Sequence, residues 1–151
     1  MLSKPSNLTR RLMNDPASLI ESLKMTPHPE GGHFAETFRA DDSSASLIFY
    51  LLKSDERSHW HRLTKDELLH FYDGDPMSVL LSPDGVSIQR KTLGRDAVDN
   101  EAYHLIIPKG TWFSMQSTGD WSLIGCTVSP AFSFDDFELA PKGWMPGRGH
   151  P

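Results

Sequence analysis

Cysteine is almost absent from the 151 residues. The single Cys126 can neither close an internal disulfide nor build a multi-cysteine zinc site, and such a chain suits a reducing compartment. The expected location is the cytoplasm. Long apolar runs are missing too. No stretch approaches the ~20 residues that span a bilayer, and no apolar core follows Lys4, Arg10 and Arg11, so neither a membrane span nor a secretory leader is expected. Those three basic residues read as a solvated helix face rather than an organellar presequence. Positive charge is not in excess either. Fifteen Lys and Arg stand against 20 Asp and Glu, a net −5 that offers no footprint for nucleic acid or an anionic membrane surface. With no internal repeat and no break in composition, residues 1–151 are expected to form one domain, a length within the commonest range of ~100–150 residues.

What is present reads as a short helix followed by strands. Asp15-Pro16 matches an N-cap and first-turn proline, Leu19, Ile20 and Leu23 supply one apolar stripe, and Pro27 and Pro29 end the segment. This places a helix from Pro16 to Lys24 inside an N-terminal helical segment, 1–27. Short apolar or alternating runs then follow at 33–39, 46–52, 58–63, 67–72, 77–82, 86–91, 102–107, 112–116 and 121–128, the pattern of an antiparallel sandwich or barrel. Ser82-Pro83-Asp84-Gly85 predicts a hairpin turn, because proline presets φ and glycine accepts positive φ. Ser117-Thr118-Gly119-Asp120 separates two further strands. The proline- and glycine-rich end, 141–151, reads as a loose tail.

Two histidines one residue apart share a face of an extended strand, so His59 and His61 are expected to point the same way, with Glu67 close behind. Two imidazoles and a carboxylate can hold a metal with open positions. They can equally line a polar pocket and bond to one another or to a ligand. Trp60 and Arg62 alternate to the opposite face, and His70 is opposed to Glu67. Phe113 and Met115 share a face and would floor the pocket. Glu36 and Phe38 share one face of their strand, and Thr37 and Arg39 the other. Arg39 reads as a bidentate partner for a carboxylate or phosphate, or as a surface ion pair. Glu30, between Pro29 and Gly31-Gly32, reads as an acid at a pocket mouth or as a turn cap. Cys126 has no basic neighbour in sequence to activate it and reads as buried packing. The run from Phe132 to Leu139 reads as an aromatic clamp with its acids in water, since it lacks the spacing of a calcium loop.

The spacing of His59, His61, Glu67 and Gly74 resembles the first motif of the cupin superfamily, in which two histidines and a glutamate ligate a metal inside a small β-barrel. A later Pro-x-Gly motif supplies the last histidine. Here the step from His61 to the acid is one residue longer than the pattern, and Lys53 stands at the opening glycine. Pro108-Lys109-Gly110 matches the second motif, with Phe113 in place of its histidine and Ser117 in place of its asparagine. His28-Pro29-Glu30-Gly31-Gly32, Glu36-Thr37-Phe38-Arg39, Ser58-His59-Trp60-His61-Arg62, Gly74-Asp75-Pro76 and Gly125-Cys126-Thr127-Val128 together resemble a small cupin family of uncharacterised function.

The resemblance implies an all-β fold, a cupin-type antiparallel β-barrel or jelly roll with a short N-terminal helix, assembled as a homodimer around a small-molecule pocket. It also implies a divalent metal (iron, zinc or manganese) on His59, His61 and Glu67, with the fourth ligand replaced by Phe113. The activity this suggests is binding of a small polar metabolite with isomerisation or epimerisation. His59 or His61 would be the general base, Glu67 its orienting group and Tyr50 or Glu30 the acid, with Trp112, Phe113, Met115 and Arg39 lining the pocket. A non-catalytic binding module and a metal-dependent enzyme with an incomplete ligand set are the alternatives. In any of these, His61→Ala is expected to impair the site and cost little stability.

Overall fold

The computed structural model describes residues 14–151, so Lys4, Arg10 and Arg11 lie outside the described residues. Helix α1 (Pro16–Ser22) begins where the sequence predicts, with the Asp15 side chain accepting from the Ser18 amide at 2.9 Å. It ends two residues before Lys24, which adopts φ +54 and so leaves the helix. Strands β1 (Thr26–Pro27), β2 (His33–Arg39), β3 (Ser46–Lys53), β4 (Ser58–Leu63), β5 (Asp66–Gly74), β6 (Met77–Ser82), β7 (Gln89–Leu93), β8 (His104–Ile107), β9 (Trp112–Ser117), β10 (Trp121–Ser129) and β11 (Phe137–Leu139) follow. One sheet runs β1-β2-β3-β10-β5-β8 and the other β11-β4-β9-β6-β7, with antiparallel pairing between all these neighbours. Among the described residues no strand is shared between the two ladders. The fold is therefore a two-sheet jelly roll rather than a hydrogen-bonded closed barrel.

The inward faces meet in a core that includes Tyr50, Leu52, Leu69, Met77, Val79, Phe113, Met115 and Ile124. Leu19 and Ile20 of α1, with Leu23 at its C-cap, cover the outer face of the first sheet over Leu51, Trp121 and Leu123. No helix among the described residues is long and apolar enough to cross a membrane.

The hairpin at Pro83-Asp84-Gly85 forms, but β7 starts at Gln89 rather than at Val86. The Asp84 carboxylate accepts from the amides of Val86 and Ser87, both at 2.9 Å, and prolongs the turn. The tail is not loose. Trp144 is buried against Trp60 and Trp112 on the outer face of the second sheet, and the Gly147 amide donates to the Gly85 carbonyl at 2.9 Å. Arg62 lies over the Trp112 ring at 4.4 Å and pairs with Glu138 at 2.7 Å. Trp60 is thus covered by this tail, and Phe132 and Phe137 stand around a cavity beside Phe134, which remains 55% exposed.

Candidate functional site

A cavity of about 310 Å³ opens between the two sheets at the end closed by residues 132–137. Glu30, His61, Glu67 and Cys126 provide its polar interior, and Phe34, Phe132, Phe134 and Phe137 much of its rim. Two departures from strand alternation decide which side chains reach it. Along β4, Ser58 pairs with Met115 and His61 with Phe113, three steps against two on β9, so one extra residue is accommodated as a bulge. The parity of the strand reverses across it. His61 enters the cavity, and the His59 ring is instead hydrogen-bonded at 3.0 Å through Nε2–H to the carbonyl of Pro141. The expectation that His59 and His61 share a face fails for this reason.

The second bulge lies in β2, where Glu36 pairs with Ile48 and Phe38 with the adjacent Leu47. It brings Glu36 and Arg39 together at the mouth instead of on opposite faces. They form an ion pair at 2.6 Å, and Arg39 also donates to the Phe132 carbonyl at 3.0 Å.

Glu30 is the residue around which the interior is organised. The turn carrying it is closed by the His28 amide donating to the Gly32 carbonyl at 2.9 Å, and it docks on β4 through the His59 amide, which donates to the Glu30 carbonyl at 2.8 Å. Gly31, at φ +111, must lack a side chain there, because a Cβ would stand 2.0 Å from the Arg57 carbonyl oxygen. Glu30 is 8% exposed. Its carboxylate lies 2.9 Å from His61 Nδ1 and accepts a short hydrogen bond from the Ser58 hydroxyl. His61 Nδ1 also lies 2.8 Å from the His59 carbonyl, an oxygen that can only accept, so Nδ1 carries a proton shared between these two acceptors. Nε2 remains to meet a ligand.

The charges follow from this geometry. Burial opposes ionisation of Glu30, but His61 and the Ser58 hydrogen bond outweigh it and hold the carboxyl below its ordinary range. Burial likewise favours a neutral His61, and Glu30, with Glu67 beyond it, raises the ring above its ordinary value. Glu67 has the opposite balance. Burial pushes it up to about 7, against the pull of His61, and its Oε2 is buried with no hydrogen-bond partner among the described residues. Cys126 sits beside it, its thiol held protonated by burial and by the two carboxylates. His28 accepts the Glu30 amide on Nδ1 at 3.1 Å, so its proton is on Nε2, and burial lowers its pKa further.

Of the remaining expected residues, Tyr50 is fully buried and donates to the Gly31 carbonyl at 2.5 Å, so it supports the glycine turn instead of supplying an acid. Trp112 faces the opposite side of its sheet, against Trp144. Met115 is in the core, and Phe113 backs the His61 ring at 4.0 Å. Neither is among the cavity-lining residues. His70 bonds to the Thr127 hydroxyl at 3.0 Å, away from the cavity as its parity implies. His28, Ser58 and Glu36 were not anticipated as site residues. The signal for the first was the Gly31-Gly32 pair, which marks a close backbone approach, whereas nothing in the sequence marks the β4 bulge that admits Ser58.

The cupin motif implies a metal, and the residues present do not fit one. His59 is turned away, Phe113 occupies the last ligand position, and Glu30 is committed to His61 and Ser58. Among the described residues no group of three or more His, Cys, Asp or Glu is arranged to hold a metal ion. Calorimetric titration of iron, zinc and manganese into untagged protein is expected to show no tight one-to-one binding. Stoichiometric binding that is lost in His59→Ala would contradict this geometry.

A family model described as Cupin superfamily (DUF985) matches residues 17–140. Among solved structures, a protein from Shewanella oneidensis is 36% identical over 85% of each chain, with a TM-score of 0.80. A hypothetical protein from Leishmania major is 26% identical, covering 84% of this chain and 88% of that one, with a TM-score of 0.77. Oxalate decarboxylase from Bacillus subtilis, 14% identical with a TM-score of 0.62 over 92% of this chain and 40% of its own, shares the fold. No curated protein matches the sequence.

Proposed function

The chain belongs to the Cupin superfamily (DUF985), and from that starting point we propose that its cavity binds a small metabolite and moves a proton within it, His61 and Glu67 acting as acid and base. The observation that carries this reading is the buried Oε2 of Glu67, without a hydrogen-bond partner among the described residues, beside a His61 whose Nδ1 is held by Glu30. A buried carboxyl near pH 7 with an unfilled hydrogen-bonding position is costly in an inert site and useful in one that transfers protons.

The step is proton abstraction next to a carbonyl. Glu67 carboxylate removes the proton from the carbon adjacent to C=O, the C–H pair becomes the C=C bond of an enol, and the carbonyl π pair moves to oxygen and takes the proton of His61 Nε2. Protonation from another face or at the neighbouring carbon then gives an epimer or an isomer. Glu30 stabilises the imidazolium and fixes the ring. Glu67 as proton acceptor replaces the orienting role expected for it, which falls to Glu30.

The proton inventory predicts the pH profile. The competent state has His61 protonated and Glu67 ionised, so the rate rises as Glu67 loses its proton at about 7 and is lost as His61, whose titration Glu30 raises above the ordinary imidazole value, gives up its own. The enol-forming and enol-consuming directions start from states with equal proton counts, so both follow one bell. Solvent deuterium incorporation into a panel of small hydroxy-carbonyl compounds, followed by NMR across pH, measures it. A profile flat through pH 7, or incorporation unchanged in Glu67→Gln, would reject the assignment. Binding with no incorporation anywhere would favour the non-catalytic module.

A further inference from the structure

The cavity walls restrict what the proton-transfer pair can be offered, and this inference rests on the function proposed above. The cavity is small, at the lower end of the roughly 300–1,000 Å³ of ligand sites. The polar groups deepest in the fold are Glu30, His61 and Glu67. His28, Glu36, Arg39, Ser46 and Ser133 also line the cavity but each already bonds to the protein, and Ile48, Leu63 and Val128 add aliphatic wall to the phenylalanine rim. The rings of Phe132, Phe134 and Phe137 are set edge-to-face, with centroids 4.9 to 6.1 Å apart. A compound bearing hydroxyls on every side would leave them unpaired against these walls, at a cost for each.

Ligand charge is disfavoured in both signs. Arg39 pairs with Glu36 and donates to the Phe132 carbonyl through one Nη, so its charge at the mouth is already offset by a carboxylate, and a phosphate or carboxylate that passes it meets Glu67 within. An organic cation, which the aromatic rim alone would suit, is drawn towards Glu67 but repelled by the His61 imidazolium beside it, so it gains less there than at an isolated carboxylate. The unfilled Oε2 of Glu67, in a side chain 8% exposed, calls for a hydroxyl or an acidic C–H beside it, and His61 Nε2 for an acceptor oxygen.

We propose that the ligand is a small uncharged hydroxy-carbonyl compound with a single flat, ring-sized apolar body, its body against Phe34, Phe132, Phe134 and Phe137 and its polar head on His61 and Glu67. This narrows the small polar metabolite expected from the sequence to an amphipathic one.

α-Hydroxyacetophenone is the probe, with dihydroxyacetone as the polar match, phenylpyruvate as the aromatic anion and phenethylammonium as the aromatic cation. Binding is read by ligand-observed NMR, and chemistry by deuterium incorporation next to the carbonyl. The uncharged aromatic compound is expected to bind at least tenfold more tightly than the other three. Phe134 is 55% exposed, so Phe134→Ala should keep its melting temperature and reduce that preference severalfold. Equal binding of all four, tighter binding of either charged compound, absence of binding, or a preference untouched by Phe134→Ala overturns the proposal. The two claims fail separately. Preferential binding without deuterium incorporation removes the proton-transfer reading and leaves the ligand class standing. Incorporation into dihydroxyacetone with no aromatic preference does the reverse.

Discussion

Glu30→Ala is expected to destabilise the protein by about 3–5 kcal/mol, the range for removing one partner of a buried ion pair. The substitution strips His61 of its counter-charge and leaves the Ser58 hydroxyl without its acceptor in a buried site. The loss should depend on pH in a definite way. Glu30 titrates lower in the fold than in the unfolded chain, so its contribution is present above its unfolded value of 4.5 and disappears as pH falls through the lower folded one. His61 titrates higher in the fold, so its contribution is complete below 6.5 and disappears as pH rises through its folded value. The difference between wild type and Glu30→Ala in urea unfolding is therefore greatest between about pH 4.5 and 6.5. A difference under about 1 kcal/mol throughout that window, the level of an exposed pair, would mean that Glu30 is not buried against His61. The same reasoning revises the expectation that His61→Ala spares stability. Removing the ring leaves Glu30 buried and unpaired, and takes away the aromatic contact with Phe113.

Glu67→Gln is expected to stabilise the protein, and only at the alkaline end. The folded state keeps the Glu67 proton up to about pH 7, and the unfolded chain releases it near 4.5. Between those values stability falls as pH rises, and above them the wild type carries a buried carboxylate that glutamine does not. At about 1.36 kcal/mol per pK unit the gain at pH 8 is at most about 3 kcal/mol, shrinking towards zero below pH 4.5. Thermal unfolding of both proteins from pH 4 to 8 measures it. A constant offset, or a gain at acid pH, would contradict the burial of this carboxyl.

Much of the fold was legible because its strands obey period two and its turns carry proline and glycine. The strands of the first sheet from β2 onward, the Asp15 cap and the Pro83-Asp84-Gly85 hairpin lie close to where local chemistry puts them, whereas β1 falls inside the segment expected to be helical, where two residues become a strand only by pairing with β2. β11 was missed because three residues within an aromatic and acidic run carry no clear period, and they become a strand only by pairing with β4. The site was less legible for one physical reason. It is built beside two bulges, and each reverses the inside-outside parity on which reading a strand depends. Read without the bulges, His59 falls in the interior and Glu36 and Arg39 on opposite faces, whereas Trp112 on β9 is turned outward by ordinary alternation from Phe113 and Met115. The chemistry of Glu30 was half visible, since Gly31-Gly32 announced an unusual turn but not that the turn would reach His61 across the fold.

The central claim is that Glu67 is a buried carboxyl, poised near neutrality beside an imidazolium held by Glu30. Its most direct test is an NMR titration of the side-chain carboxyl carbon of Glu67, assigned by its absence in Glu67→Gln. A midpoint at about pH 7 is the predicted result. A midpoint near 4.5, the value of a solvated glutamate, would contradict the account.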